Sequence, residues 1–500
     1  MCVRKLESNN LASLSGDLRR VGKFIGFFRQ CERQWACEVG KTRVQRNSRI
    51  ADILCEGLHM SASLDLLFGA HLQEVMRRSG VALADSQFDR LLIHAGEPVG
   101  VFRDDTEYPY KPHAIFRWWA PLLDAPGSMV EWIPGERPRL YFRAATDFWY
   151  QPPQLPVGGW PEHFDIVTVS SWEAMVEALA KQPARKTAWL SDRPPTGLPE
   201  CVQSSPAALW QQLEFARSRK TGYEIACLRE ANALGAKGHR AAEAAFHAEG
   251  SEFEIHQAFL AGCGQREQEL PYNAIVGVNE AASVLHYQIL KRRSPTPVRS
   301  LLLDAGASCR GYGSDITRTY ARSAEGPFSA LVEAMDQMQQ GLAQQVVPGA
   351  DWKEIHLAAV RGVADILSSA EIVRCSGEEA TALGLTRLFF PHGIGHMLGL
   401  QVHDVAGLWA DDRATTIPRP PQDPALRLTR ILEPGFVVTL EPGLYFIESL
   451  LAPLRHDAAL REKLNWALID SLKPFGGVRI EDNLALTSTG HENLTRVAFG

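Results

Sequence analysis

The chain has 500 residues, 45% hydrophobic and 22% charged, which fits a multi-domain globular protein and excludes disordered, collagen-like and repeat-tract classes. Lys and Arg number 52 against 58 Asp and Glu, a net charge of -6, which does not suit a dedicated nucleic-acid binder. No apolar run approaches the roughly 18 residues of a membrane span, and nine scattered cysteines without a CxxC pair point to reduced thiols and a cytoplasmic protein.

Residues 1–59 come first and differ from the rest. They carry 11 Lys and Arg against 6 Asp and Glu, and they hold Cys2, Cys31, Cys37 and Cys55. Their apolar cluster, Phe24 to Phe28, is shorter than the roughly 7–15 residues of a signal-peptide core. The segment reads either as a basic arm or targeting segment, or as upstream sequence translated from a start codon chosen too early. The sharp change of composition at Met60 favours the second.

Leu66, Leu67, Ala70, Leu72, Val75 and Met76 then recur at helical spacing. Arg90 to Gly96 reads as a strand, as do 129–133, 139–142 and 164–169, separated by Pro- and Gly-rich turns. Residues 172–181 suggest a helix and 188–190 a strand. Residues 60–215 thus form a mixed α/β domain. Residues 207–247 read as one long helical stretch. Ser251 and Glu254 have capping-box spacing before a helix over 252–261. Strands follow at 274–278, 300–304, 437–441, 445–446 and 478–481, with helices at 327–345 and 352–368. Residues 216–500 are therefore expected to be an α+β domain.

The candidate chemistry lies in this second domain. Asp304 closes the run Leu301-Leu302-Leu303, Glu441 closes Val437 to Leu440, and Glu481 closes Val478 to Ile480. Asp315 follows Ser314 eleven residues after Asp304. Singly, each acid is explained as a turn former or cap. Brought together, four acids repel one another and call for divalent cations. His392, His396 and His403 fall within twelve residues in a Gly-rich setting. One imidazole among several carboxylates suits an oxygen-preferring ion such as Mn²⁺. Two such ions can clamp a hydrolytic displacement. Arg479, two residues before Glu481, shares its strand face. It is either a donor to a substrate carboxylate or a structural ion pair. Gly311-Tyr312-Gly313 lacks the context of a dinucleotide fingerprint, and HExxH, GxSxG and P-loop patterns are missing. Trp118, Trp119, Trp132, Trp149 and Trp160 read as core packing rather than a binding platform.

Five segments in order, DAGA, DITRT, PHGIGH, LEPG and VRIEDN, resemble the metallopeptidases of the pita-bread fold, and most closely bacterial Xaa-Pro dipeptidases, or prolidases. The resemblance covers about residues 60–500 and includes Asp104-Asp105 and Asp147-Phe148-Trp149. It implies a pita-bread catalytic domain behind a smaller α/β domain. It also implies two divalent metal ions, usually Mn²⁺. Asp304 would hold one, His396 and Glu441 the other, and Asp315 and Glu481 would bridge them. A hydroxide bridging the ions would be the nucleophile and Glu441 the proton carrier. His392 and His403 would stabilise the tetrahedral intermediate. Arg479 would bind the prolyl carboxylate, with Tyr272, His286, Val402 and Trp149 around the substrate. Asp105 would reach the substrate amine in a partner subunit, which implies a homodimer. Trp352 stands where relatives carry a tyrosine, which bears on pocket size.

The implied reaction is hydrolysis of Xaa-Pro dipeptides, with organophosphate cleavage as a side activity. The competing reading within the fold is aminopeptidase P, which acts on longer peptides; features of the first domain, Asp105 and Trp149, favour the dipeptidase. A metal-free binding module would show a substitution among the five ligand positions, and none is substituted. Methionine aminopeptidase lacks a first domain of this size.

Overall fold

The arrangement follows from where the chain breaks its helices and buries its strands. The computed structural model describes residues 41–144 and 148–500, with side chains from Ser63 onward. The expectations for residues 1–59, including the alternative start, lie outside the residues whose side chains are described, as does Asp147.

Helix α1 runs over Lys41–Asp85, and from Leu64 it buries Leu64, Phe68, Leu72 and Val75 on one face. A six-stranded sheet follows, made of β1 (Arg90–His94), β2 (Met129–Trp132), β3 (Arg139–Arg143), β4 (Asp165–Val169), β5 (Thr187–Leu190) and β6 (Val202–Ser204). Its order is β4-β3-β2-β1-β5-β6. The pairs β1–β2 and β2–β3 are antiparallel, and β3–β4, β1–β5 and β5–β6 are parallel. Helices α2 (Ala114–Trp119) and α3 (Trp172–Ala180) pack on this sheet. Trp118, Trp119, Trp132 and Trp160 are buried, as core packing requires, whereas Trp149 is 76% exposed.

The stretch 207–247 is two helices rather than one. Helix α4 (Ala207–Arg217) ends and α5 (Gly222–His247) restarts behind Thr221. Thr221 Oγ1 accepts from the Glu224 amide, and the Glu224 carboxylate accepts from the Thr221 amide. This capping box satisfies orphan donors of the new helix, which helical composition alone does not reveal. Ser251 and Glu254 cap α6 (Glu252–Cys263) in the same way.

Strands β7 (Ile275–Val278), β8 (Ser300–Asp304) and β11 (Thr317–Ala321) form an antiparallel sheet in the order β11-β8-β7, and the chain between β8 and β11 makes a separate short antiparallel pair, β9 (Ser308–Cys309) and β10 (Tyr312–Gly313). The apolar run of β8 reflects burial on both faces. Leu301 and Leu303 pack with Phe246 and Phe259, while Leu302 packs with Tyr287 and Tyr445. Helices α7 (Pro327–Ala343), α8 (Trp352–Ser369), α9 (Gly377–Ala382) and α10 (Leu385–Phe389) lie between these strands and the last ones. Those are β12 (Val437–Leu440), β13 (Gly443–Tyr445), β14 (Gly477–Arg479), β15 (Asp482–Leu486) and β16 (His491–Asn493), closed by α11 (Leu494–Phe499). They pair as β12-β15-β16 and β13-β14, all antiparallel. Strand β14 stops at Arg479, so Glu481 lies beyond it, bridged to Thr317.

A hydrophobic core joins the first sheet to the later elements: Phe68, Trp118 and Leu213 belong to the same cluster as Tyr223, Tyr312, Leu398, Leu400 and Val437. Residues Leu64–Gly500 make one unit. No helix among the described residues is long and apolar enough to cross a membrane.

Trp352 opens α8 and is fully buried among Ile355, Leu432 and Phe436 in the core around α7 and α8. It lines neither of the two cavities described below, so its indole bears on stability rather than on pocket size. Trp352→Ala is expected to destabilise the protein by about 3–5 kcal/mol through lost burial and the cavity left behind. The urea midpoint of the circular-dichroism transition measures this.

Candidate metal centre

Backbone pairing brings the predicted acids together. Asp304 ends β8, directly opposite Thr317 of β11 and Ile275 of β7. The chain turns back through Gly306, where a Cβ would lie 1.9 Å from the Ser314 carbonyl oxygen, so only glycine permits the turn. Asp315 then stands two residues before β11. Its amide donates to Asn483 Oδ1 at 3.0 Å, and Asn483 Nδ2 returns a bond to the Asp315 carbonyl. The His396 amide donates to Thr439 Oγ1, and the Thr439 and Glu441 amides donate to the carbonyls of His396 and Ile394. This zips the histidine loop along β12 and sets His396 beside Glu441. The Glu481 amide donates to the Thr317 carbonyl at 3.0 Å.

Asp304, Asp315, His396, Glu441 and Glu481 therefore line one cavity of about 280 Å³, together with His286, His392, His403 and Arg479. Donor atoms of Asp315, His396 and Glu481 lie within 4.8 Å of one another. His396 Nε2 is 3.4 Å from Asp315 Oδ2 and 3.6 Å from Glu441 Oε1. An outer cavity of about 610 Å³ shares His286, Asp304, Asp315 and His403 and adds Tyr272 and Val402.

The acids resist one another. Burial, then the charges of Asp315, Glu441 and Asp304, push the Glu481 carboxyl well up. Burial pushes Glu441 up to about 7 against the pull of His396 and Arg479. Asp304 is also raised by burial, although Arg479 opposes this. Asp315 goes the other way: burial disfavours its charge, but the bond to and charge of His396 hold its carboxyl low. Burial likewise disfavours charge on His396, and Asp315 and Glu441 outweigh it. Three buried carboxylates and the half-buried Glu441, set against the charges of His396 and Arg479, leave a surplus of negative charge. The donor set is oxygen-rich with a single nitrogen and no thiolate. It fits a hard divalent cation and not a thiolate zinc site.

Arg479 sits in the middle of this network. Its Nη2 donates to Asp304 Oδ2 at 2.6 Å, Nη1 to the Tyr445 hydroxyl at 2.8 Å and Nε to Thr317 Oγ1 at 3.2 Å. The Thr317 hydroxyl donates in turn to Glu481 Oε2 at 2.7 Å. Arg479 and Glu481 thus face one cavity, as their spacing suggested. The structural ion pair is present, with Asp304. Tyr272 donates to Asp304 Oδ1 at 2.7 Å. His392 Nε2 lies 2.9 Å from the Tyr445 hydroxyl, and burial and Arg479 push its imidazole down to about 3. His403 packs edge-on against His396 with ring centroids 4.5 Å apart. Burial, then His396, lowers it to about 4.

Asp105 and Trp149 are not brought to either cavity; both are exposed on the chain's own surface. Sequence reasoning assigned nothing to Thr317, Tyr445 or Asn483. Thr317 and Asn483 stood inside the quoted segments DITRT and VRIEDN. Tyr445 had no signal beyond its place in a strand.

The pattern described as Metallopeptidase family M24 matches residues 226–488, and that described as Xaa-Pro dipeptidase, N-terminal domain, matches residues 66–215. The chain belongs to metallopeptidase family M24, and is thus a hydrolase of the pita-bread class. A protein named Xaa-Pro dipeptidase from Stenotrophomonas maltophilia is 44% identical over 433 residues, covering 87% of this chain and 97% of the relative. One of the same name from Xanthomonas campestris is 44% identical over 439 residues, covering 87% and 98%. Among solved structures, aminopeptidase P from Escherichia coli with the inhibitor Pro-Leu aligns with TM-score 0.65 at 24% identity, over 85% of this chain and 95% of that one. Proline aminopeptidase P II from Yersinia pestis aligns with TM-score 0.63, also at 24% identity, over 85% and 96%. These last two show a shared fold.

Divalent cations are expected to relieve the repulsion and raise thermal stability, by about 2.7 kcal/mol at a metal concentration 100 times its Kd. A melting curve with and without Mn²⁺ and chelator measures this. Thr317→Val removes the hydroxyl that both Glu481 and Arg479 use. It is expected to weaken Mn²⁺ binding about 10- to 100-fold, as loss of outer-shell partners does. Isothermal titration calorimetry reads the change.

Proposed function

We propose that the protein hydrolyses Xaa-Pro dipeptides to a free amino acid and proline. The observation that carries this reading is the extent of the likeness: relatives named Xaa-Pro dipeptidase match at 44% identity through both the amino-terminal and the catalytic parts. Aminopeptidase P shares the fold at 23–24% identity.

On this reading Asp304, Asp315, His396, Glu441 and Glu481 hold two divalent ions, with Mn²⁺ favoured by the oxygen-rich donors. When bound, the ions supply Lewis acidity and make water a better nucleophile at neutral pH. Glu441, at the cavity wall beside His396, takes the proton from water and passes it to the leaving prolyl nitrogen. His392 and His403 line the same cavity and steady the oxygen of the tetrahedral intermediate. Arg479 spends three donors on Asp304, Tyr445 and Thr317 and turns the rest of its guanidinium to the prolyl carboxylate. Tyr272, His286 and Val402 surround the dipeptide. Imide hydrolysis needs no N–H on the scissile nitrogen, which suits a site that works by polarising the carbonyl.

Asp105, exposed on the amino-terminal part, meets the substrate amine in a second subunit of a homodimer, and Trp149 adds to the lining around the substrate. The division near residue 215 then separates an amino-terminal α/β domain from the catalytic one. The enzyme is cytoplasmic, and organophosphate cleavage is a side activity of a site shaped for a tetrahedral centre.

Purified Mn²⁺-loaded protein is expected to split an Xaa-Pro dipeptide and to leave an Xaa-Pro-Xaa tripeptide intact. Chelation abolishes turnover, and Glu441→Ala lowers kcat by about 10²–10⁴. Release of proline, followed by ninhydrin, measures both. Preference for the tripeptide would instead establish an aminopeptidase P.

A further inference from the structure

His403 stands on a loop that leaves at Met397 and returns at Asp404, where the Asp404 amide donates to the Met397 carbonyl at 2.9 Å. Beneath the loop lies a buried group of charges. Arg217 Nη2 is 3.1 Å from Asp404 Oδ1, and Lys220 Nζ is 2.8 Å from Asp404 Oδ2. The three side chains are 3%, 1% and 2% exposed for Arg217, Lys220 and Asp404. A Cβ on Gly399 would lie 2.3 Å from the Asp404 carboxylate and 2.9 Å from Lys220 Cε, so the loop carries glycine where the ion group needs room. Arg117 adds a third cation from α2. It donates to the Leu400 carbonyl at 2.9 Å and to the Gly311 carbonyl at 2.8 Å.

Arg117 comes from α2 of the amino-terminal domain, Arg217 is the last residue of α4 and Lys220 lies in the turn before α5, at the junction with the catalytic part. The loop they hold carries His403 against His396. A buried ion group is a poor way to gain stability, since apolar side chains of like volume often serve as well. Its strength is directional, because two cations on the two oxygens of one carboxylate fix that carboxylate's place and orientation. The carboxylate is adjacent in the chain to His403.

We propose that Asp404 is a positioning residue, held by Arg217 and Lys220, that sets the His403 imidazole in the cavity. The junction between the two parts thereby shapes the catalytic site of its own chain. This rests on the reading of His403 as a group that serves the substrate.

The test is a double-mutant cycle in the full-length, Mn²⁺-loaded protein, using Ala-Pro as substrate. Asp404→Asn is expected to lower kcat at least about tenfold with KM changed less than about threefold, the signature of an interaction made in the transition state. In a His403→Ala background the same change is expected to lower kcat by no more than about twofold, because coupled residues do not add. An equal fall in both backgrounds, or no fall in either, overturns the proposal. Lys220→Met keeps the Arg217 pair and carries the same cycle where Asp404→Asn does not fold. A second readout needs no turnover: in metal-free protein with ¹³C-labelled histidine, the His403 ring resonance, assigned through His403→Ala, shifts in Lys220→Met while that of His392 stays. A His403 resonance that does not move overturns the proposal. Absence of Ala-Pro cleavage by the unsubstituted enzyme refutes the dipeptidase reading instead, and the ring resonance still decides the role of Asp404.

Discussion

Like charges forced together are the constraint around which this protein is organised. Four carboxylates share a cavity of about 280 Å³ with one ligand-type imidazole. Left alone they would protonate, and burial already pushes Glu441 and Glu481 in that direction. The fold holds them in place by spending backbone rather than side-chain interactions. Asp304 and Thr317 are opposed in a ladder, Asp315 is held by Asn483 through its backbone, and Glu441 and His396 lie on adjoining strands of chain. The carboxylates are thereby turned toward one cavity, as a cation site demands.

A second layer keeps those oxygens aimed. The Thr317 hydroxyl donates to Glu481 and accepts from Arg479, and the Tyr445 hydroxyl accepts from Arg479 beside His392. Arg479 is therefore both a counter-charge for Asp304 and a link between the acid cluster and His392. Removing it would leave Asp304 less compensated and Tyr445 without its donor.

The acids were legible in the sequence for a physical reason. A carboxylate at the end of an apolar strand, next to glycine or proline, is conspicuous because burial of charge needs explanation. The order of the segments then supplied the family resemblance. Strand β11 was harder to read: Thr317, Arg318, Thr319 and Tyr320 lack an apolar run, because their pairing with β8 and their bonds to Glu481 and Arg479 are tertiary. Tyr445 was unreadable as a site residue for the same reason. The break between α4 and α5 was hidden because residues 218–221 are few and polar, and the reciprocal capping box takes both Thr221 and Glu224. Asp105 and Trp149 stand on the surface and line neither cavity.

The core that joins the first sheet to the catalytic strands has a consequence for how the protein comes apart. Phe68, Trp118 and Leu213 share one apolar cluster with Tyr223, Tyr312, Leu400 and Val437. Opening the junction would wet both sides at once, and the apolar surface lost there belongs to neither part alone. From Leu64 onward the two parts therefore share one compact unit and one stretch of core. A catalytic fragment excised near residue 216 would carry a raw hydrophobic face, and its fate would be aggregation rather than independent activity.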